Sequence, residues 1–356
     1  MSNFFLFLTL QPLPMRLMPL LIILMLLFVS GCPGPAEELP QTKENATRPY
    51  YVGLVPSPKN QPETSFEDIV AAYEEAGRLG EVMMVWSDPN CIGQCSRLRQ
   101  TRVVEAARSN GMEPVLTLNF ATIHKSSGKG LQYGICWPNH TAANITDPEF
   151  RKAWINEAKS LAAEFRPKYF SLGNEVNDYF YLHPEDLPHY ITLYDEAYAE
   201  IKKVSPETKV FVVFSYTHLI DNSQWGMLEK FDNRSDLIGL TTYPWKHYSS
   251  PQEIPSGYYR RAGNYTTKPI AFTEIGWPST GSEHEQAEFL DVFQNRTGGM
   301  DLEMVNWLFL HEIPIEGTLA KVIQDETATV SLKERNGTKK EIYSKWQELA
   351  EKEIRP

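Results

Sequence analysis

The chain has 356 residues, of which 42% are hydrophobic, 22% charged and 12% aromatic, so it can bury a large core and is neither disordered nor collagenous. Its 34 Lys and Arg against 45 Asp and Glu give a formal charge of -11. No diffuse basic field exists to displace counterions from a phosphate backbone, and with a single long apolar run the chain is neither a nucleic-acid binder nor a polytopic membrane protein.

That run comes first. Residues 17–29 carry no charge, follow Arg16 and precede Ser30-Gly31-Cys32, the pattern of an export signal over residues 1–31. Val29-Ser30-Gly31-Cys32 resembles a prokaryotic lipobox, which implies that Cys32 becomes the lipidated first residue of the mature protein and holds it to a membrane. An ordinary signal peptide and an uncleaved anchor helix are the alternatives, and all three put the body outside the cytoplasm. Cleavage removes Arg16 alone among the charges, so the mature surface is still more acidic. Residues 32–48, with Pro33, Pro35, Pro40 and Glu37-Glu38, have too little apolar content to fold and read as a flexible tether. Seven of the 17 asparagines open an N-x-[ST] sequon: Asn45, Asn139, Asn144, Asn233, Asn264, Asn295 and Asn336. Chance predicts about two, so N-glycosylation is expected on an exported chain.

From residue 49 to 356, short β-rich apolar runs alternate with segments of helical period. Strands are predicted over residues 50–55, 81–86, 113–120, 169–175, 209–216, 236–243, 269–274 and 304–311. Between the first two, Phe66, Ile69, Val70, Tyr73 and Leu79 line one face of a helix, and Ile342, Trp346 and Leu349 do the same at the end of the chain. After the second strand come Cys91 and Cys95, and Cys136 follows the third. Three thiols in an oxidising compartment imply one disulfide and one spare cysteine, with the pairing open; a three-thiolate metal site is the alternative. Long connections follow the third strand, over residues 121–146, and the eighth, over residues 311–340. Strands buried on both faces and separated by helices read as parallel βα units, and eight of them predict a single (β/α)8 TIM barrel. An open doubly wound sheet lacks support, because no Gly-rich phosphate loop follows the first strand.

The fourth and seventh strands carry the chemistry. One leads into Ser171-Leu172-Gly173-Asn174-Glu175-Val176 and the other into Thr273-Glu274-Ile275-Gly276-Trp277-Pro278-Ser279. In a barrel these strands lie opposite one another, so Glu175 and Glu274 can face one cleft at the C-terminal rim. Glycoside hydrolysis needs such a pair: a protonated carboxyl for the leaving oxygen and an ionised one for the oxocarbenium-like centre, about 5–5.5 Å apart for retention. The two stretches resemble the clan A retaining glycoside hydrolases, which implies Glu175 as acid/base and Glu274 as nucleophile. Gly173-Asn174-Glu175-Val176 and Glu274-Ile275-Gly276-Trp277-Pro278-Ser279 are most similar to the endo-β-1,3-glucanase family of plants and fungi (glycoside hydrolase family 17), with endo-β-1,4-galactanases more distant.

Other positions follow by role. Asn174 is expected to donate to a sugar 2-hydroxyl, Tyr243 to hold Glu274 ionised, and Trp307 to offer a flat platform to a pyranose. Trp86, Asp88 and Asn119 close the second and third strands and are expected either at the cleft or as loop caps. Trp137, Trp245 and Trp277 fall on rim loops, where aromatic rings stack on further sugars or mark a protein contact. The expected activity is retaining β-glycosidase, endo-acting on a β-linked polysaccharide (a β-1,3-glucan or a β-galactan), with a polysaccharide or oligosaccharide partner and neither metal nor organic cofactor. Two alternatives share the fold: a surface glycan-binding lipoprotein without turnover, and a transglycosylase.

Overall fold

The computed structural model describes residues 47–88, 90–125, 131–137, 144–314 and 325–355. The export segment, Cys32, most of the tether, Asn45 and Asn139 lie outside the described residues. Eight parallel strands form a barrel: β1 (Tyr51–Val55), β2 (Val82–Val85), β3 (Glu113–Thr117), β4 (Tyr169–Ser171), β5 (Lys209–Ser215), β6 (Leu237–Thr242), β7 (Ile270–Ile275) and β8 (Leu302–His311). Neighbours in sequence are neighbours in space, and β8 pairs with both β7 and β1 to close the ring. Each strand falls within or overlaps one predicted from its apolar run.

The period-2 alternation of each strand sorts two cores. Val82, Met84, Val115, Tyr169, Phe211, Val213, Leu237, Ala271 and Met304 fill the inside of the ring. Their neighbours, such as Met83, Val212 and Val305, join the larger core between ring and helices. Full burial of each such aliphatic side chain contributes roughly 1.5–3 kcal/mol. At the floor Glu303 accepts from Tyr169 Oη at 2.5 Å and from Lys209 Nζ at 2.7 Å.

The helix Phe66–Leu79 starts at a capping box, in which Ser65 Oγ accepts from the Asp68 backbone and Asp68 accepts from the Ser65 backbone, each at 3.1 Å. Its buried face is Ala72, Tyr73, Ala76 and Leu79, while Phe66 and Val70 are 37% and 38% exposed. The expected stripe is thus rotated: small alanines let the helix lie close on the sheet, and the bulkier Phe66 and Val70 turn outward. The terminal helix Glu341–Ala350 buries Ile342, Trp346 and Leu349 as its period predicts.

Both long connections add structure above the barrel. The one after β3 forms an antiparallel hairpin, Ala121–Lys125 with Leu131–Ile135. Cys91 and Cys136 join this hairpin to the loop after β2, and Cys95 stays a buried free thiol, so no three-thiolate site forms. A cross-link over 45 residues removes unfolded-chain entropy worth about 4 kcal/mol. After β8 the short strand Ser331–Lys333 pairs with Phe309 and His311.

Candidate active site

The first carboxylate stands on a turn. The strand expected to reach residue 175 stops at Ser171, and Gly173 then adopts φ +148°, where a Cβ would lie 2.5 Å from Val176 Cγ1. Glu175 takes a left-handed φ of +51° as the residue preceding the helix Val176–Leu182. That conformation costs a non-glycine residue on the order of 1–2 kcal/mol and persists where the surroundings enforce it. Enforcement comes from just beyond β3: Asn119 Oδ1 accepts from the Asn174 backbone N–H at 2.8 Å.

The second carboxylate sits within β7. Glu274 is only 7% exposed, and its oxygens are well supplied with donors. Trp86 Nε1 donates to Oε1 at 2.9 Å, Asn174 Nδ2 lies 3.5 Å from the same oxygen, and Tyr243 Oη donates to Oε2. Thr241, the register partner of Glu274 on β6, donates to Glu175 Oε1 at 2.5 Å. Glu175 and Glu274 therefore share one site at the C-terminal rim, bridged by Asn174 on one side and by β6 on the other.

Their electrostatics differ. Burial pushes Glu175 up to about 8, helped by the charges of Asp178 and Glu274 and opposed by Thr241 and Lys246. Burial also raises Glu274, but Tyr243, Trp86 and Asn174 all donate to it and hold its anion. The proton of the pair thus belongs on Glu175 and the charge on Glu274.

The remaining expected positions divide. Trp86 and Tyr243 touch Glu274 directly, and Trp245 packs on the Tyr243 ring at a centroid distance of 4.7 Å. Asn119 acts one step back, through the Asn174 backbone. Asp88 is a loop cap: it pairs with Arg97 and accepts from the Asn90 backbone at 2.7 Å. Trp137 packs against Phe150. Two tryptophans are not where a sugar platform is needed. Trp307 is fully buried, packed against Phe289 and Trp346 of the outer helices at 6.1 and 5.8 Å. The reason is alternation along β8: Met304 points into the barrel, which turns Trp307, three residues on, outward. Trp277 is 3% exposed and packs on the same Phe289 at 5.7 Å.

Sequence reasoning missed four residues around the pair: Thr241, Asp178, His218 and Tyr133. Thr241 shares a strand face with Tyr243 two residues on, and Asp178 lies three residues beyond Glu175 on one helix face, so both spacings were there to be read. His218 and Tyr133 reach Asp178 from separate connections, the helix after β5 and the hairpin after β3, at positions no local pattern marks.

The sequence profile of glycosyl hydrolase family 53 matches residues 64–306, a stretch that contains both carboxylates. The chain belongs to glycosyl hydrolase family 53. The family 53 chain is therefore a glycoside hydrolase, and its clan A resemblance holds at the level of family and fold. Its family is not the endo-β-1,3-glucanase family to which the two short motifs are most similar. Both motifs surround the carboxylates, where a shared chemistry imposes similar residues, so they do not separate families. No curated protein sequence matches the chain. Among solved structures, the GH5_18 enzyme of Streptomyces cattleya in complex with GlcNAc is 16% identical with a TM-score of 0.62, over 87% of this chain and 83% of its own. The exo-β-1,4-mannosidase Op5Man5 of Opitutaceae bacterium strain TAV5 is 16% identical with a TM-score of 0.62, over 86% of this chain and 59% of its own. The β-glucosidase 1317 is 16% identical with a TM-score of 0.58, over 81% and 88%. At these identities the likeness is one of fold.

Proposed function

We propose that this family 53 protein is a retaining, endo-acting β-glycosidase of the cell surface, with Glu175 as acid/base and Glu274 as nucleophile. The observation that carries the reading is the asymmetry of the pair: three donors converge on Glu274, whereas Glu175 is buried against like charge. In the first step a Glu274 oxygen attacks the anomeric carbon while Glu175 gives its proton to the departing glycosidic oxygen. In the second, Glu175 takes a proton from water, whose oxygen attacks the same carbon and releases Glu274. Asn174, beside both carboxylates, is suited to a sugar 2-hydroxyl, and Trp245 to a wall of the cleft. The β-specificity is supported by fold neighbours named as a β-mannosidase and a β-glucosidase, and endo action by the long connections after β3 and β8.

Incubation with β-1,3-, β-1,4- and β-1,6-linked glucans, galactans and mannans tests this. Wild type is expected to release oligosaccharides from one of them, Glu175→Gln to be slower by about 10²–10⁴-fold, and Glu274→Gln to release none. An unchanged rate in Glu274→Gln contradicts the reading. Products longer than the substrate would make the enzyme a transglycosylase, and binding without turnover a glycan-binding protein.

The proposal includes export, lipid attachment at Cys32 and N-glycosylation, supported by the segment before Cys32 and by the exposure of Asn144, Asn233, Asn264, Asn295 and Asn336. Asn144 and Asn336 already accept, through their side-chain carbonyls, from the backbone N–H of the sequon threonine at 2.9 and 2.7 Å. The native protein is expected to begin at a lipid-bearing Cys32 and to exceed its polypeptide mass by several glycans. A mass equal to that of the bare chain contradicts both modifications.

A further inference from the structure

One helical turn beyond Glu175 stands a carboxylate that the proposed reaction does not use. Asp178 lies in the first turn of Val176–Leu182, and its backbone N–H donates to the Glu175 carbonyl at 3.0 Å. One of its carboxylate oxygens meets His218 Nδ1, and the other accepts from Tyr133 Oη at 3.4 Å. The three side chains come from three different connections: Tyr133 from the hairpin after β3, Asp178 from the helix after β4, His218 from the helix Tyr216–Asp221 after β5. The Asp178 side chain is 9% exposed and that of His218 38%, so the imidazole is the member of the pair that meets solvent.

We propose that Asp178 and His218 form a positioning pair that governs how tightly Glu175 holds its proton, with Tyr133 bracing the carboxylate. The inference rests on the assignment of Glu175 as the acid. Its logic is Coulombic: the Asp178 charge opposes ionisation of Glu175, and an imidazolium on His218 offsets that charge. The other groups acting on Glu175, Asp178 and His218 are Glu274 from β7, Tyr243 and Thr241 from the β6 end, Lys246 from the turn after β6, and Tyr133 from the hairpin after β3. Glu274 acts in the same sense as Asp178, and Lys246 opposes both, lowering Glu175 and His218 alike. The hydrogen bond to Asp178 raises His218 above its ordinary range, against its own burial. His218 therefore keeps its charge further into the alkaline range than a free imidazole. When it does become neutral, the Asp178 field is no longer offset, and Glu175 is held protonated over the range in which an acid would otherwise be lost.

The test is a direct titration of the Glu175 carboxyl by carbon NMR in the full chain with labelled glutamate, its signal assigned by its disappearance in Glu175→Gln. Asp178→Asn, which keeps the size of the side chain, is expected to lower the Glu175 midpoint by about one pH unit. His218→Gln, which retains a donor for Asp178 without a charge, is expected to raise it by a few tenths to about one unit. His218→Asn serves as a second neutral variant, and the alkaline limb of kcat/KM should move with the midpoint in each case. Shifts of the same sign in the Asp178 and His218 variants, or no shift in either, overturn the proposal, since a merely structural pair has no reason to move the midpoint in opposite directions. Opposite shifts in a protein that hydrolyses no glycoside would uphold the pair and remove the hydrolase reading of the site. Hydrolysis with an unmoved midpoint would do the reverse.

Discussion

At the scale of single residues, the acid role proposed for Glu175 opposes folding. Its backbone is left-handed, and its carboxyl, ordinarily at 4.5, is pushed up to about 8. Between those two values the unfolded chain ionises this carboxyl while the folded chain must keep it protonated, so the unfolded state binds fewer protons and stability falls as pH rises. Below the lower value both states carry the proton and the penalty vanishes. A neutral isostere escapes it: Glu175→Gln is expected to be more stable than wild type at pH 7 by on the order of 1 kcal/mol, with the gap closing below about pH 4. Urea unfolding of both proteins at the two pH values checks this, and equal stability at pH 7 would contradict the protonated state assigned to Glu175. Glu274 shows the complementary solution, in which Trp86, Tyr243 and Asn174 supply the hydrogen bonds that water would have given its anion.

At the scale of elements, the tryptophans separate packing from contact with substrate. Trp307 fills the layer between β8 and the outer helices, so Trp307→Ala is expected to cost about 3–5 kcal/mol of stability and to leave KM unchanged. Trp245, half-buried on Tyr243 beside the carboxylates, is expected to behave oppositely, with KM raised in Trp245→Ala and little change in unfolding. Denaturant midpoints together with steady-state kinetics decide this; a raised KM with intact stability in Trp307→Ala would return that ring to the substrate side. The eight strands were legible because each is a short apolar run, and Glu175 and Glu274 because they close two of those runs beside recognisable neighbours. The face on which Trp307 lies was not legible, since a one-residue difference in strand phase exchanges barrel interior for helix layer. Nor was the Cys91–Cys136 pairing, which depends on how the hairpin after β3 folds over the loop after β2. His218 and Tyr133 stayed hidden for the same reason: they reach Asp178 from the helix after β5 and the hairpin after β3, and only the closed barrel brings those connections together.

At the scale of the whole molecule, the entry of the described chain and the paired carboxylates lie at opposite ends of the barrel. The described chain enters at Thr47–Arg48, which pairs with Glu353–Ile354. Arg48 is fixed there by Glu81, just before β2, and by the Leu349 carbonyl at 3.1 Å. These contacts lie at the N-terminal ends of the strands, whereas Glu175 and Glu274 sit at the C-terminal ends. Under the proposed lipid anchor the tether leaves from the floor and the cleft opens away from it, where a polymer can enter. Retaining hydrolysis through Glu274 is best tested by the anomeric configuration of the first-formed product, followed by proton NMR during hydrolysis of the best substrate from the panel. Retention in wild type, with loss of the reaction in Glu274→Gln, is the predicted result. Inversion, or hydrolysis that continues in Glu274→Gln, would contradict the account.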